Sequence, residues 1–553
     1  MSPLFRARGS GRMSGAASAL LATAGSALLA LGALPGCSGN AADFEPDLVA
    51  AQASAVVVSS PESLCNSDPR VWDGLVPLNV CIGARLFFDE TFGGNGRTCA
   101  SCHPVGNNYT IDHGFVQSLP ASDPLFVHKN SVFPLAELET PELENLALVR
   151  ENLEGFGDLA HKFVLRSVPH IFGLATSITR DVTDGTSPTF SERTGWSGDG
   201  VTGGTLRDFA NGAIAQHFTK DLDRTPGTSF RVATATELDR LADFQRSVGR
   251  SNELNLSAVR LTDSFAEQGR LDFLDPQIGR CNECHGNAGA NANATGKNAN
   301  FFGNFERFAA ELPSRPTLGG VIVRDGGFGG QDLSAPNVAL SVNASGVGDD
   351  PTLNGFGDGS FNVASLIEAA DTGPFYHHNN LGSEGSSIGL VAAVAFYSSA
   401  AFNTSPAGVK LIQQFGTPIT LPGNSLVEIA AFLRVLNTFF NLDLATQRLQ
   451  AARRFNSNYW DFRSDLQKTL IRLGRKEVAD ALRVLASPDG PPLHTADQST
   501  LSAILTQLDS AASTTDPATR LSLTTSALSA IAGVRSHFGS GVSFTLGSGT
   551  LMF

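Results

Sequence analysis

The hydrophobic pattern along this chain repeats with a helical period far more often than it alternates. Glu237 to Arg250 (ELDRLADFQRSVGR) puts Leu238, Leu241 and Phe244 on one face, which predicts an amphipathic helix. Arg260 to Leu274 leads from there into a cysteine cluster. Ser425 to Phe440 (SLVEIAAFLRVLNTFF) is apolar enough for a core helix. Residues 445–485 and 497–534 repeat the helical period and are parted by Ser487-Pro488-Asp489-Gly490-Pro491-Pro492, a run of turn formers. Sustained period-two alternation is weak throughout. The expected fold class is mainly α, with long glycine-rich loops.

The N-terminus has a different pattern. Arg6, Arg8 and Arg12 precede an apolar stretch from Ala16 to Leu34, followed by Leu34-Pro35-Gly36-Cys37. This reads as a signal peptide over residues 1–36 with a bacterial lipoprotein cleavage site. The stretch is short and contains Gly and Ser, which argues against a permanent membrane span. A lipid on Cys37 would tether the protein at the periplasmic membrane or cell surface of a bacterium. The alternative is ordinary cleavage that leaves Cys37 free. Residues 37–60, small and polar, read as a flexible tether.

Charge narrows the partners. The formal net charge is -14 and no basic patch interrupts it, so nucleic acid is not an expected partner. The membrane is expected to be touched only through the lipid.

The candidate chemistry lies in two copies of one pattern, Cys99-Ala100-Ser101-Cys102-His103 and Cys281-Asn282-Glu283-Cys284-His285. Each reads C-x-x-C-H, the attachment signature of a c-type haem. The cysteine sulfurs form thioethers to the haem vinyl groups, and the adjacent histidine reaches the iron. A zinc site would need further paired ligands, and a thiol redox pair a cytosolic βαβ context. Cys99, Cys102 and His103 would hold one haem, and Cys281, Cys284 and His285 a second. The remaining cysteines, Cys65 and Cys81, lie sixteen residues apart outside any motif and are expected to form a disulfide. Methionine, the common second axial ligand, occurs only at positions 1, 13 and 552. A sixth ligand must then be His, Tyr or another group, or the position is open.

The motifs stand 182 residues apart, enough for one domain each. The expected organisation is a first haem domain over residues 61–255, a second over 256–445, and a helical extension over 446–553. Docking to a partner and extension of the core are both open as roles for that extension.

Around these motifs the chain resembles the bacterial di-haem cytochrome c peroxidases. Their superfamily includes the di-haem enzyme that matures a tryptophan-derived quinone and the di-haem rubber oxygenases. Gly83-Ala84-Arg85-Leu86-Phe87-Phe88-Asp89-Glu90 with Gly96-Arg97-Thr98-Cys99 is similar to the family's opening segment. Arg166-Ser167-Val168-Pro169-His170 resembles its R-N-x-P-T. Thr194-Gly195-Trp196-Ser197-Gly198-Asp199-Gly200 looks like a diverged F-W-D-G-R, with Gly195 and Ser197 as departures. Thr372-Gly373-Pro374-Phe375-Tyr376-His377 is similar to T-x-P-Y-F-H, and Ala395-Phe396-Tyr397 to the axial-ligand segment after it. The resemblance runs in order over residues 60–445 and leaves the C-terminal helices uncovered.

It implies two cytochrome c-like haem domains and reduction of hydrogen peroxide at the His103 haem. Electrons would come from a small redox donor protein through the His285 haem. Tyr397 would be the sixth ligand at His285, with His377 or His378 as the competing reading. Trp196 would lie between the haems, and His161 would cap the first. The family's distal glutamine and glutamate are missing, and Phe209 stands at the glutamine position. His217 is the best replacement base, with Asp208 and Gln216 behind it. An apolar distal pocket would instead favour O₂, as in the rubber oxygenases. A pure electron-transfer cytochrome is the non-enzymatic alternative. Calcium through Thr372 and Pro374, and a homodimer, are further family expectations.

Overall fold

A computed structural model describes residues 60–127, 141–151, 164–178, 205–289, 360–377, 389–404, 406–455 and 461–553, with a few shorter pieces between them. The export segment, Cys37 and the tether lie outside the described residues, as do His161 and His378. The described residues are mainly helical, and their strands form only two-stranded sheets. The weak alternation in the sequence agrees with this.

Each cysteine motif follows a helix that crosses a later helix at a glycine. Helix α1 (Leu78–Asp89) leads to the short helix α2 (Cys99–Cys102). A Cβ on Gly83 of α1 would lie 1.9 Å from the Arg240 carbonyl oxygen, so only glycine permits this approach. Arg240 belongs to the amphipathic helix read from the sequence, which runs from Ala235 to Arg246. It starts at a capping box, in which the Thr234 hydroxyl accepts from the Glu237 amide and the Glu237 carboxylate accepts from the Thr234 amide. With α3 (Leu206–His217) preceding it, this helix is α4. Its inward side chains, Leu241 and Phe244, are fully buried against Phe87 and Phe88 of α1.

The second half repeats the device. Helix α5 (Ser264–Leu274) leads to the short α6 (Cys281–Cys284). After α7 (Gly389–Phe396) comes α8 (Gly423–Arg454), and a Cβ on Gly269 of α5 would lie 1.8 Å from the Glu428 carbonyl oxygen of α8. Helix α8 is the helix expected over Ser425–Phe440, but it continues fourteen residues further, through residue 445. No glycine or proline interrupts Asn441 to Arg454, and Leu442, Leu444, Ala445 and Leu449 keep it buried. It is apolar and long enough to cross a membrane by composition, yet 83% of its apolar window is buried inside the protein, as in a core helix.

The C-terminal region contains α9 (Asp461–Ala486), α10 (Thr495–Ser513) and α11 (Pro517–Ser536). The break expected at 487–492 is present, and Arg434 of α8 holds it. Its guanidinium donates to the carbonyls of Val484, Leu485 and Pro491 at 2.8–3.0 Å, satisfying the end of α9. A second break, before Pro517, parts α10 from α11. There the Asp516 carboxylate accepts from the Thr519 amide and caps α11. Cys65 and Cys81 form the expected disulfide. Everything described from residue 60 onward belongs to one compact unit, Pro46–Phe553.

Candidate functional site

The two cysteine motifs meet at one cavity of about 370 Å³. Cys102 and His103 line it from one motif, and Cys281, Cys284 and His285 from the other.

In each motif a single helical turn places the two cysteines three residues apart on one face. The first turn is fixed by Thr98, whose amide donates to Ser101 Oγ at 3.1 Å in a reciprocal cap. None of the four thiols forms a disulfide. Burial pushes the Cys99 and Cys281 thiols up to about 12. A C-x-x-C redox pair needs the opposite shift, toward the thiolate. Among the described residues no cluster of His, Cys, Asp and Glu could chelate a bare ion.

The histidines share one arrangement. His103 Nδ1 lies 2.8 Å from the Tyr109 carbonyl oxygen, and His285 Nδ1 lies 2.8 Å from the Ala364 carbonyl oxygen. A carbonyl can only accept, so both rings carry their proton on Nδ1 and leave the Nε2 lone pair available to a metal. Burial depresses both imidazoles to about 4, so both are neutral. Paired thiols outside any disulfide, an imine nitrogen facing away from the backbone carbonyl in each motif and a cavity between them fit covalently held haem.

Helix α3 forms another wall. Leu206, Phe209, Ala213 and His217 recur at helical spacing and all line the cavity. His217 is the one titratable group on that face. Burial pushes it to about 3, with the charges of Arg97, Arg224 and His103 adding to the effect, so it is a neutral imidazole near His103. Asn95 Nδ2 donates to the His217 carbonyl at 2.9 Å and holds the end of α3. Asp208 takes a different position. Its carboxylate accepts from the Thr205 hydroxyl at the start of α3, and it does not line the cavity. Gln216 does not line it either, whereas Phe209 does and packs close to Gly195.

Trp196 lines the cavity and donates from Nε1 to the Ser167 carbonyl at 3.1 Å. Its ring stands edge-on to His377, with centroids 6.3 Å apart. Tyr397 lies beside the second motif, its ring perpendicular to that of His285 at 6.5 Å. Burial raises its phenol, as do the Cys284 and Cys281 thiols. Among the described candidates, Tyr397 is in ring contact with His285 and His377 with Trp196. Thr372 and Pro374 line the cavity, and the Thr372 hydroxyl donates to the Glu368 carbonyl.

Two further residues of the site are not among the predicted site residues. Arg97 is fully buried and acts electrostatically on both Cys102 and His217. His170 lines the cavity, and burial lowers it while the Glu368 carboxylate opposes that shift. Glu368 is ion-paired to Arg250 at 2.8 Å, with both side chains fully buried. Arg97 and His170 lie within the segments that resemble the family, which was the signal that could have found them. Comparison with family models, curated proteins and solved structures finds no match.

Proposed function

We propose that this chain is an exported di-haem c-type oxidoreductase that reduces hydrogen peroxide at the His103 site. A small donor protein would supply electrons through the His285 site. Cys99 and Cys102 would hold one haem and Cys281 and Cys284 the other, with His103 and His285 as proximal ligands. The observation that carries this reading is the shared cavity, into which two Cys–His sets open with both imidazoles in the same tautomer. Bound haem iron would supply the redox chemistry and the open position for a small oxidant.

The chain's own residues would do the remaining work. His217 is neutral and lines the cavity near His103, so it can accept a proton from one peroxide oxygen and return it to the other. Leu206, Phe209 and Ala213 beside it exclude water. Tyr397 would complete the second site as sixth ligand, and a phenolate donor there would lower that haem's potential. Export and anchoring through Cys37 rest on the N-terminal sequence.

One observation favours a second reading. Phe209 in place of a polar distal residue makes the wall around His217 apolar, which suits O₂ and a hydrophobic substrate. Two measurements test the proposal. Carbon monoxide should bind the reduced protein at one haem, and peroxide turnover with a reduced donor should collapse in His217→Ala. Binding at neither haem removes the open site from both enzymatic readings. Unchanged turnover in the variant rejects His217 as the base.

A further inference from the structure

The C-terminal region reaches both candidate haem sites through charged side chains. At the first site the carbonyl that orients His103 belongs to Tyr109. Asn108 and Tyr109 both have φ of 56°, two consecutive left-handed residues without glycine. Each costs roughly 1–2 kcal/mol, so surrounding contacts must hold this turn. Some are local, with the Tyr109 amide donating to the Pro104 carbonyl at 3.0 Å, and others come from far along the chain. Lys476 Nζ of α9 donates to Asn108 Oδ1 at 2.7 Å and is itself ion-paired with Asp480. Asn108 Nδ2 donates to the Asp371 carbonyl at 3.1 Å, and Asn441 of α8 donates to the Asp371 carboxylate at 2.7 Å. The Tyr109 phenol is fully buried and feels the charges of Arg448 and Glu477, a buried ion pair between α8 and α9.

At the second site the link is Asp489, in the loop between α9 and α10. Its carboxylate accepts from the backbone amides of Leu390 and Val391, at 2.5 and 3.0 Å, in the first turn of α7. Asp489 is 7% exposed and caps the helix that ends immediately before Tyr397.

We propose that Lys476 and Asp489 are positioning residues through which the C-terminal helices set the two sites separately: Lys476 fixes the ring of His103 through the Asn108–Tyr109 turn, and Asp489 fixes Tyr397 through α7. This rests on the di-haem reading. Groups that orient a metal ligand tune the metal almost as strongly as the ligand does, with effects on the order of 10-fold. A mere extension of the core would act on overall stability and on neither site selectively.

The test uses the full chain with both haems, compared with Lys476→Met and Asp489→Ala. Covalent haem content is measured first by mass, and then the redox titration and electron paramagnetic resonance spectrum of each haem. In Lys476→Met the ratio of reduced to oxidised first-site haem at a fixed potential should change on the order of 10-fold. The second should stay within about twofold. Asp489→Ala should show the reverse. Lys476→Arg, which keeps a charged donor, should restore the first-site spectrum. Asn108→Gly removes both the acceptor of Lys476 and the donor to Asp371 while easing the left-handed turn, so it tests the same link without altering Lys476. Equal shifts at both haems, or none at either in Lys476→Met and Asn108→Gly, overturn the proposal. A wild-type chain lacking covalent haem overturns the di-haem reading instead.

Discussion

The two Cys-x-x-Cys-His sites solve the same problem by opposite means. His103 finds its carbonyl partner six residues on, in a tight turn of its own motif segment. His285 finds its partner 79 residues on, at Ala364, which comes alongside only when the chain closes over the second motif. The first site is local but strained, because its turn needs Asn108 and Tyr109 in left-handed conformations. The second is tertiary, and Leu366 N donating to the Ala288 carbonyl ties the same closing segment back to its motif. Their opposite walls differ as well: an imidazole on an apolar helix near His103, and a phenol near His285. Under the proposed function the same five-residue signature would support a reactive site and a relay site, the difference being made by what the rest of the chain places across the cavity.

Replacing one motif's cysteines breaks this comparison most sharply. Cys99→Ser/Cys102→Ser and Cys281→Ser/Cys284→Ser should each lose one covalent porphyrin of two, read by mass. The first pair should also lose peroxide turnover. If the second pair alone abolishes turnover while the first leaves it intact, the reactive and relay assignments are exchanged.

The next largest effect separates the opposite walls. His217→Ala should lower peroxide turnover by about 10²–10⁴-fold. Tyr397→Phe should change the ferric spectrum of the second haem and leave that of the first unchanged. A first-site spectrum altered by Tyr397→Phe would contradict its placement beside His285.

Beside Ser365 and acting on His170 is the buried Arg250–Glu368 pair; the Ser365 hydroxyl donates to Glu368 at 2.6 Å next to Ala364. Glu368→Ala strands a buried guanidinium and should cost about 3–5 kcal/mol in urea unfolding. A loss below about 1 kcal/mol would show that water reaches this pair.

The smallest effect is in pH dependence. His217 titrates near 3 in the folded chain and near 6.5 when unfolded, so the unfolded chain binds more protons between these values. Its contribution to stability is therefore complete above about pH 6.5 and is lost as pH falls toward about 3. Urea melts should show the stability of wild type falling relative to that of His217→Phe between pH 7 and pH 4.5, and an unchanged difference would contradict the burial of His217.

Much of this architecture was legible in the sequence because it is encoded locally. The helix at Ala235–Arg246 shows in its apolar face and its Thr234–Glu237 box. The C-terminal helices and the break after Ala486 show in period and turn residues, and the disulfide in leftover cysteines. What was not legible depends on long-range contact. Nothing near His285 points to Ala364, and nothing near Asn108 points to Lys476. Asp208 read as a spare acid, yet Thr205 three residues earlier makes it a helix-capping partner, a local signal with a structural meaning. The apolar run at Ser425–Phe440 predicts a helix but not its end, because continuation to Arg454 depends on burial against α9.

The account stands on covalent porphyrin iron at both motifs, and the mass of the acid-denatured, full-length exported protein tests it most directly. A mass exceeding the polypeptide by two haems, with the red colour retained after acidic acetone, is the predicted result. A polypeptide at its bare mass, or one that gives up all its pigment to the solvent, would contradict it.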